Sequence, residues 1–377
     1  MADIEIVIKD KDGTPKAVIE EYTRLETISR FNDVGSWTLD INGNDDIWDL
    51  LYKTRGYIEV FEDGVSKFLG IVKKCEIDDT PAAYVMRFAG FDQNHYLLRR
   101  IIYPEPADGL PFDTNGYDEQ TDYAEQLIKY YILNNIGASA LLPRRENITA
   151  APNLNIGSTL TEQGRFATLL DTCQQLAIKG GCLGFYFSTS LVATVYQPTD
   201  KSASVVFSKE LGNLTSYKYS HEIAEANALI VGGQGDLTDR VVIEVLDGQS
   251  IIDFGRIEKF VDKRSVEDSA TLSEEATAEL EKEKEKVFLS ITPIDTLGCT
   301  YGVDYELGDK VKVVLETGIK FTDVVREVKK LYDGTSGSPL TQPAISTPNY
   351  QDNNPFSNIF AKLNNIKGKV SNLERSN

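Results

Sequence analysis

Three carboxylates crowd the segment "YGVDYELGDKVKVV" (Tyr301–Val314): Asp304, Glu306 and Asp309. Folded together, such oxygens would ligate a hard cation, and a facing pair would serve glycosidic bond cleavage. The spacing dictates neither geometry. The second half of the segment alternates Val311 and Val313 with lysines, the pattern of a strand that follows a turn. The two histidines, His95 in "FDQNHYLLRR" and His221 in "YKYSHEIAEANA", belong to no H-E-x-x-H motif. Cys75, Cys173, Cys182 and Cys299 form no C-x-x-C pair and read as buried, reduced thiols. "GGQG" at 232–235 completes no G-x-G-x-x-G and leads into a strand, which argues against a phosphate cradle. "DINGNDDIWDLL" starts like a calcium loop at Asp40, but Asp45 and Leu51 stand where the loop needs glycine and glutamate. Asp45 and Asp46 suit the start of a helix instead. No residue is assigned a catalytic, cofactor-binding or metal-binding role; no cofactor is expected, and the chain reads as non-enzymatic.

The elements that carry these residues are mostly strands. Ile4, Ile6 and Ile8 alternate; "RLETISRFNDVGSWTLDI" gives two more strands, and "GYIEVFEDGVSKFLGIVKKCEI" a hairpin turning at Asp63-Gly64. Residues 1–105 therefore read as one all-β barrel or sandwich. A Pro/Gly/Asp-rich linker at 103–116 leads to an inserted α+β domain, 106–202. Its first helix presents Ala124, Leu127, Ile128 and Tyr131; its second is expected from Thr161, with a stripe of Phe166, Leu169, Leu170, Cys173 and Leu176. Residues 203–247 with 295–333 read as a second β-domain, and 248–294 as a small insertion with a charged helix. Residues 334–354, rich in Pro, Ser and Thr, read as a linker. The class is β-rich α+β with several domains, as 377 residues lead one to expect.

Two hairpins repeat. In Tyr57–Lys74 and Lys310–Lys330, Ile58 and Val60 match Val311 and Val313, Gly64 matches Gly318, Phe68 matches Phe321, and Ile71-Val72 match Val324-Val325. The alignment slips by one or two residues at the turn and the aromatic. The final segment, 355–377, carries Phe356, Ile359, Leu363, Ile366, Val370 and Leu373 in alternating steps of three and four, an amphipathic helix suited to self-association or docking. Gly368 weakens that helix by about 1 kcal/mol.

Charge restricts the partners. A net charge of −19 does not suit a surface that clamps nucleic acid or anionic lipid. The N-terminus lacks the pattern of a signal peptide, and no run of about 18 apolar residues suggests a membrane-spanning helix.

"ETISRFNDVGSWTLDI", "LLYKTRGYIEVFEDGVSKFLGIV", "VYQPTDKSASVVFSKELGNLTSYKYS…ANALIVGG" and "YGVDYELGDKVKVV", in this order, resemble the tail-tip (baseplate) hub proteins of siphophages, related to the N-terminal part of tail-associated lysins (Tal-like). The resemblance spans roughly residues 1–335. It implies two tail-tube-like β-barrels per chain and a homotrimeric ring whose six barrels match the sixfold tail tube and distal tail protein ring. It also implies a closed tube that opens for the tape-measure protein and for DNA ejection without specific DNA binding. Tail fibre or tip receptor-binding proteins would be further partners. The location would be the virion tail tip, after assembly in the bacterial host cytoplasm. Many relatives end in a peptidoglycan hydrolase; here only the short heptads follow the linker, so wall cleavage is not expected. The alternatives are a carbohydrate- or receptor-binding tip protein that uses exposed aromatics of the inserted domain, and a cell-wall hydrolase that uses carboxylates such as Asp304 and Glu306.

Overall fold

A computed structural model describes residues 3–346 except 11, 44, 55, 82, 265, 267, 295, 297 and 335–338. The stripe Phe356, Ile359, Leu363, Ile366, Val370 and Leu373 lies outside the described residues. Alternating apolar residues generate the first strands: β1 (Ile4–Lys9), β2 (Pro15–Ile19), β3 (Arg24–Arg30) and β4 (Ser36–Asn42). Helix α1 (Asp45–Thr54) begins at the expected acidic pair. A hairpin follows, β5 (Tyr57–Glu62) and β6 (Val65–Thr80), then β7 (Ala83–Asp92) and the single turn α2 (His95–Leu98). At the hairpin turn Asp63 and Gly64 both have positive φ, +50° and +75°, as a two-residue turn between right-twisted strands requires.

These strands run β3-β4-β7-β6-β5-β1-β2 in hydrogen-bonded order. Ile19 of β2, at one end, and Leu25 of β3, at the other, fall in one buried cluster around Trp37, Leu39 and Phe88, with Ile47 and Leu51 of α1. The sheet therefore curls round a filled interior. Among the described residues no ladder joins β2 back to β3, so the hydrogen-bonded path stays open. Charged pairs such as Arg87–Asp40 (2.7 Å) and Lys329–Glu26 (3.0 Å) occupy the opposite face, the usual division of an antiparallel sheet.

The α+β insertion contains β8 (Asp118–Tyr123), α3 (Ala124–Asn135), β9 (Thr149–Ala150), β10 (Thr159–Gly164), α4 (Leu169–Lys179), β11 (Gly184–Phe187) and β12 (Val192–Tyr196). Ala124, Leu127, Ile128 and Tyr131 of α3 are buried, as their spacing predicts. The second helix starts at Leu169 rather than Thr161. Residues 159–164 pair with β8 instead, and Phe166 takes φ +54°, which no helix accommodates. Thr168 then caps α4, its hydroxyl accepting from Asp171 N at 3.2 Å. Two asparagines attach this insertion to the curled sheet. Asn32 donates to Leu183 O (2.8 Å) and accepts from Phe185 N (2.7 Å), and Asn94 accepts from Phe187 N (2.9 Å). Both act on the backbone edge of β11, whose groups would otherwise be left bare.

Next come β13 (Val206–Ser208) and β14 (Leu214–Glu222), then β15 (Ala228–Gly232), β16 (Val242–Leu246), α5 (Gly248–Phe254), β17 (Glu258–Asp262) and α6 (Ser269–Glu283). The chain continues through β18 (Lys286–Pro293), β19 (Lys310–Val314), β20 (Lys320–Asp333) and β21 (Leu340–Ser346). Strands β13, β14 and β18–β21 extend the large sheet to thirteen strands, reached through the ladder β20–β3. The sheet β16-β15-β17 is separate, and contact density divides the chain into Met1–Tyr217 with Ile291–Ile345, and Lys218–Ser290.

Two expected boundaries are thereby corrected. The insertion expected at 248–294 includes β15 and β16, so the second β-domain does not run through 203–247. The linker expected at 334–354 contains β21. Pro343 masked that strand, since a proline forfeits one ladder bond; it lies opposite Val328. Within the second unit, Leu272, Ala276 and Leu280 form one stripe of α6 against Leu229 and Val231 of β15. Leu272→Ala should cost about 2–5 kcal/mol. In differential scanning calorimetry it should move one transition and leave that of the large sheet in place; a single transition shifted as a whole would contradict two separate units.

Candidate functional site

Two of the three carboxylates that suggested chemistry stabilise turns. Asp309 is buried; its Oδ1 accepts from Thr199 N at 2.8 Å and its Oδ2 from Glu306 N at 3.1 Å. Asp304 Oδ2 accepts from Thr300 N at 2.8 Å. Lys201 links the two turns: its Nζ lies 3.6 Å from Asp309 Oδ2 and donates to the Asp304 carbonyl at 2.7 Å. The Glu306 side chain is exposed. The three carboxylates do not converge, because two are committed to backbone N–H groups of neighbouring loops. Among the described residues no group of three His, Cys, Asp or Glu side chains is placed to hold a metal ion.

The histidines are also apart. His95 stacks on Phe91 at 4.8 Å, and burial holds its imidazole near pKa about 4, hence neutral. His221 Nε2 lies 2.9 Å from Glu285 Oε2. Cys173 and Cys299 are buried, but Cys75 is half-buried and Cys182 exposed, which corrects the expectation of four buried thiols. Cys182 sits at φ +60° in the turn after α4, outside the helix stripe that includes buried Cys173.

What the fold does bring into correspondence is the pair of hairpins. Ile58, Val60, Val311 and Val313 all have zero exposure. Val60 lies opposite Phe68 and Val313 opposite Phe321; Tyr57 lies opposite Ile71 and Lys310 opposite Val324. These partners keep one constant sequence offset. The slip near the turn is local: β5–β6 carries a bulge after Val60, and Gly64 and Gly318 both turn at positive φ. The second half of β20 leaves β19 and pairs with β3 on one side and β21 on the other. One strand thus belongs to both hairpin neighbourhoods. Sequence reading found the repeat; it missed the shared strand, because a fourteen-residue strand that changes partners midway looks the same as one that does not.

Beside the β3–β4 turn lies a buried acid. Asp92 accepts from Asn94 N at 3.1 Å, near Arg30 and Asp33, and burial pushes its carboxyl up to about 7.

The fold is that of phage tail proteins. It matches the prophage MuSo2 43 kDa tail protein from Shewanella oneidensis (TM-score 0.58, 14% identity, 91% of this chain and 98% of that one). It also matches a tail protein from Neisseria meningitidis MC58 (0.54, 13%, 92% and 97%) and prophage tail protein gp18 from Listeria monocytogenes EGD-e (0.52, 13%, 97% and 99%). The chain belongs to the siphovirus ReqiPepy6 Gp37-like protein family, whose sequence model matches residues 4–341. No curated protein sequence matches it. Membership of this siphovirus family thus coincides with a fold found in phage tail proteins.

Two outcomes follow. Asp309→Ala leaves buried N–H groups unpaired and should lower stability by about 1–3 kcal/mol, whereas Glu306→Ala should stay within about 0.5 kcal/mol of wild type in urea unfolding. Equal losses would contradict the turn roles. A folded-state pKa raised from 3.8 to about 7 means the folded chain holds the Asp92 proton longer, so this group's contribution to stability is lost as pH rises from about 4 to about 7. Asp92→Asn should flatten that part of the stability–pH curve, whatever its constant effect; an unchanged slope would contradict it.

Proposed function

We propose that the chain is the hub of a siphophage tail tip, a homotrimeric ring that adapts the sixfold tail tube and distal tail ring to a threefold tip and keeps the tube closed until DNA is ejected. The observation that carries this reading is the hairpin pair in constant register within one sheet. It supports two tube-like barrels per chain, the first around the buried cluster of β1–β7 and the second built on β13, β14 and β18–β21. Three chains then present six equivalent hairpins to a sixfold partner. Closed cyclic assembly also gives open sheet edges partners, which an isolated chain would leave as liabilities. A net charge of −19 suits a conduit that DNA must pass without adhering. The reading assigns the chain no catalysis. Its partners would be the distal tail protein, the tape-measure protein and the tip fibres.

Light scattering on the purified chain should report three times the 41.9 kDa chain mass; a monomer that also fails to bind the distal tail ring would sink the proposal. We assign the stripe Phe356–Leu373 to self-association. Leu363→Glu should then shift the trimer toward monomer, and an unchanged mass would assign the stripe to docking instead.

A further inference from the structure

In an acidic chain, arginines normally find carboxylates, and here most do: Arg24, Arg30, Arg87, Arg100, Arg240, Arg256 and Arg264 all lie in ion pairs. Among the described residues Arg144 and Arg165 of the α+β insertion have no carboxylate within ion-pair distance; their N–H groups go to neutral oxygens instead, Arg144 to Ile101 O (2.5 Å) and Asn135 Oδ1 (3.3 Å) and Arg165 to Gly116 O. Phe166 N donates to Ile102 O (2.8 Å), and Arg100 donates to Arg144 O (3.0 Å), which joins the segments around 100, 144 and 165.

The same segments build an unbroken stack of rings and guanidiniums. Arg144 Cζ lies 3.4 Å from the Tyr103 ring centre, Tyr103 meets Phe112 edge-on at 4.8 Å, and Phe112 meets Phe166 at 5.7 Å. Arg165 Cζ then lies 4.7 Å from Phe166 and 6.0 Å from Tyr117. Phe166 and Tyr117 remain 44% and 55% exposed. The backbone is strained to present this stack, because Phe112 (φ +60°) and Phe166 (φ +54°) both occupy the left-handed region. That conformation is costly for a bulky residue and persists where the surroundings impose it. Exposed Asp108 and Asp113 lie on the Phe112 loop, yet neither pairs with these arginines.

We propose that this face binds an anionic polysaccharide, its sugar rings lying on the exposed faces of Phe166 and Tyr117 and its carboxylates or phosphates taken by Arg144 and Arg165. Charge complementarity selects the anion: on a chain of net charge −19, the guanidiniums of Arg144 and Arg165 flank the rings and meet no carboxylate. Flat exposed rings between the cations select a ligand with faces to stack, which an acidic polypeptide backbone lacks. The inference goes beyond the hub reading and does not need the ring, since the face lies within a single chain.

Binding of the full-length chain to polygalacturonate, phosphorylated dextran, plain dextran and poly-L-glutamate tests it by biolayer interferometry. The carboxylate and phosphate glycans distinguish the two anion sources. At least one should bind, and plain dextran should not. Arg165→Gln with Phe166→Asn should weaken that binding by about tenfold or more, since asparagine keeps the left-handed backbone while removing the ring. The melting temperature should not move. Failure of both charged glycans to bind, equal binding of poly-L-glutamate, or undiminished binding by the double variant would overturn the proposal. The chain's mass, trimeric or not, leaves this result unaffected.

Discussion

Everything in the larger unit depends on the ladder between β20 and β3. Seven consecutive pairs, from Glu327↔Arg30 to Asp333↔Arg24, join residues about three hundred positions apart. The ladder is anchored from both faces. Tyr332 enters the buried cluster of the N-terminal strands and its hydroxyl donates to Glu62 at 2.7 Å, where Lys330 also binds the same carboxylate at 2.7 and 2.9 Å. Arg30 pairs with Glu327 at 2.8 Å at the other end. Such non-local pairing is entropically expensive to form. Once formed, it makes the two hairpin neighbourhoods one continuous sheet rather than two beads on a linker.

That continuity bears on function. If each hairpin neighbourhood sat on a flexible linker, it would meet a partner ring independently. Sharing β20 sets the spacing and orientation of the two within the chain, which is what the proposed matching of a sixfold ring by three chains demands. The Asn32 and Asn94 contacts add the α+β insertion to the same frame, so the aromatic and arginine face is carried on a rigid support. The Asp304 and Asp309 carboxylates hold turns that lead directly into β19, while the Glu306 side chain is exposed.

Much of this was legible in the sequence where periodicity is strong. The alternation in Tyr57–Val60 and Val311–Val313, the Asp63-Gly64 turn and the stripe of α3 all appear as read. Other features depend on partners that no local pattern names. The β15 run "ALIVG" reads as a strand, but not as one whose neighbours are β16, β17 and α6. Thr159–Gly164 could continue into the α4 pattern until the left-handed Phe166 stops it, and nothing in the local composition announces that. The proline in β21 gives a false linker signal. The stack from Arg144 to Tyr117 draws on segments more than forty residues apart, so it becomes visible only once Ile102 and Phe166 are paired.

The central claim is symmetry matching, and an image of the assembled tail tip at a resolution that shows symmetry tests it most directly. The account predicts a threefold ring of this chain seated on a sixfold ring, with six equivalent hairpin contacts between them. A sixfold ring of this chain, or a single copy at the tip, would contradict it.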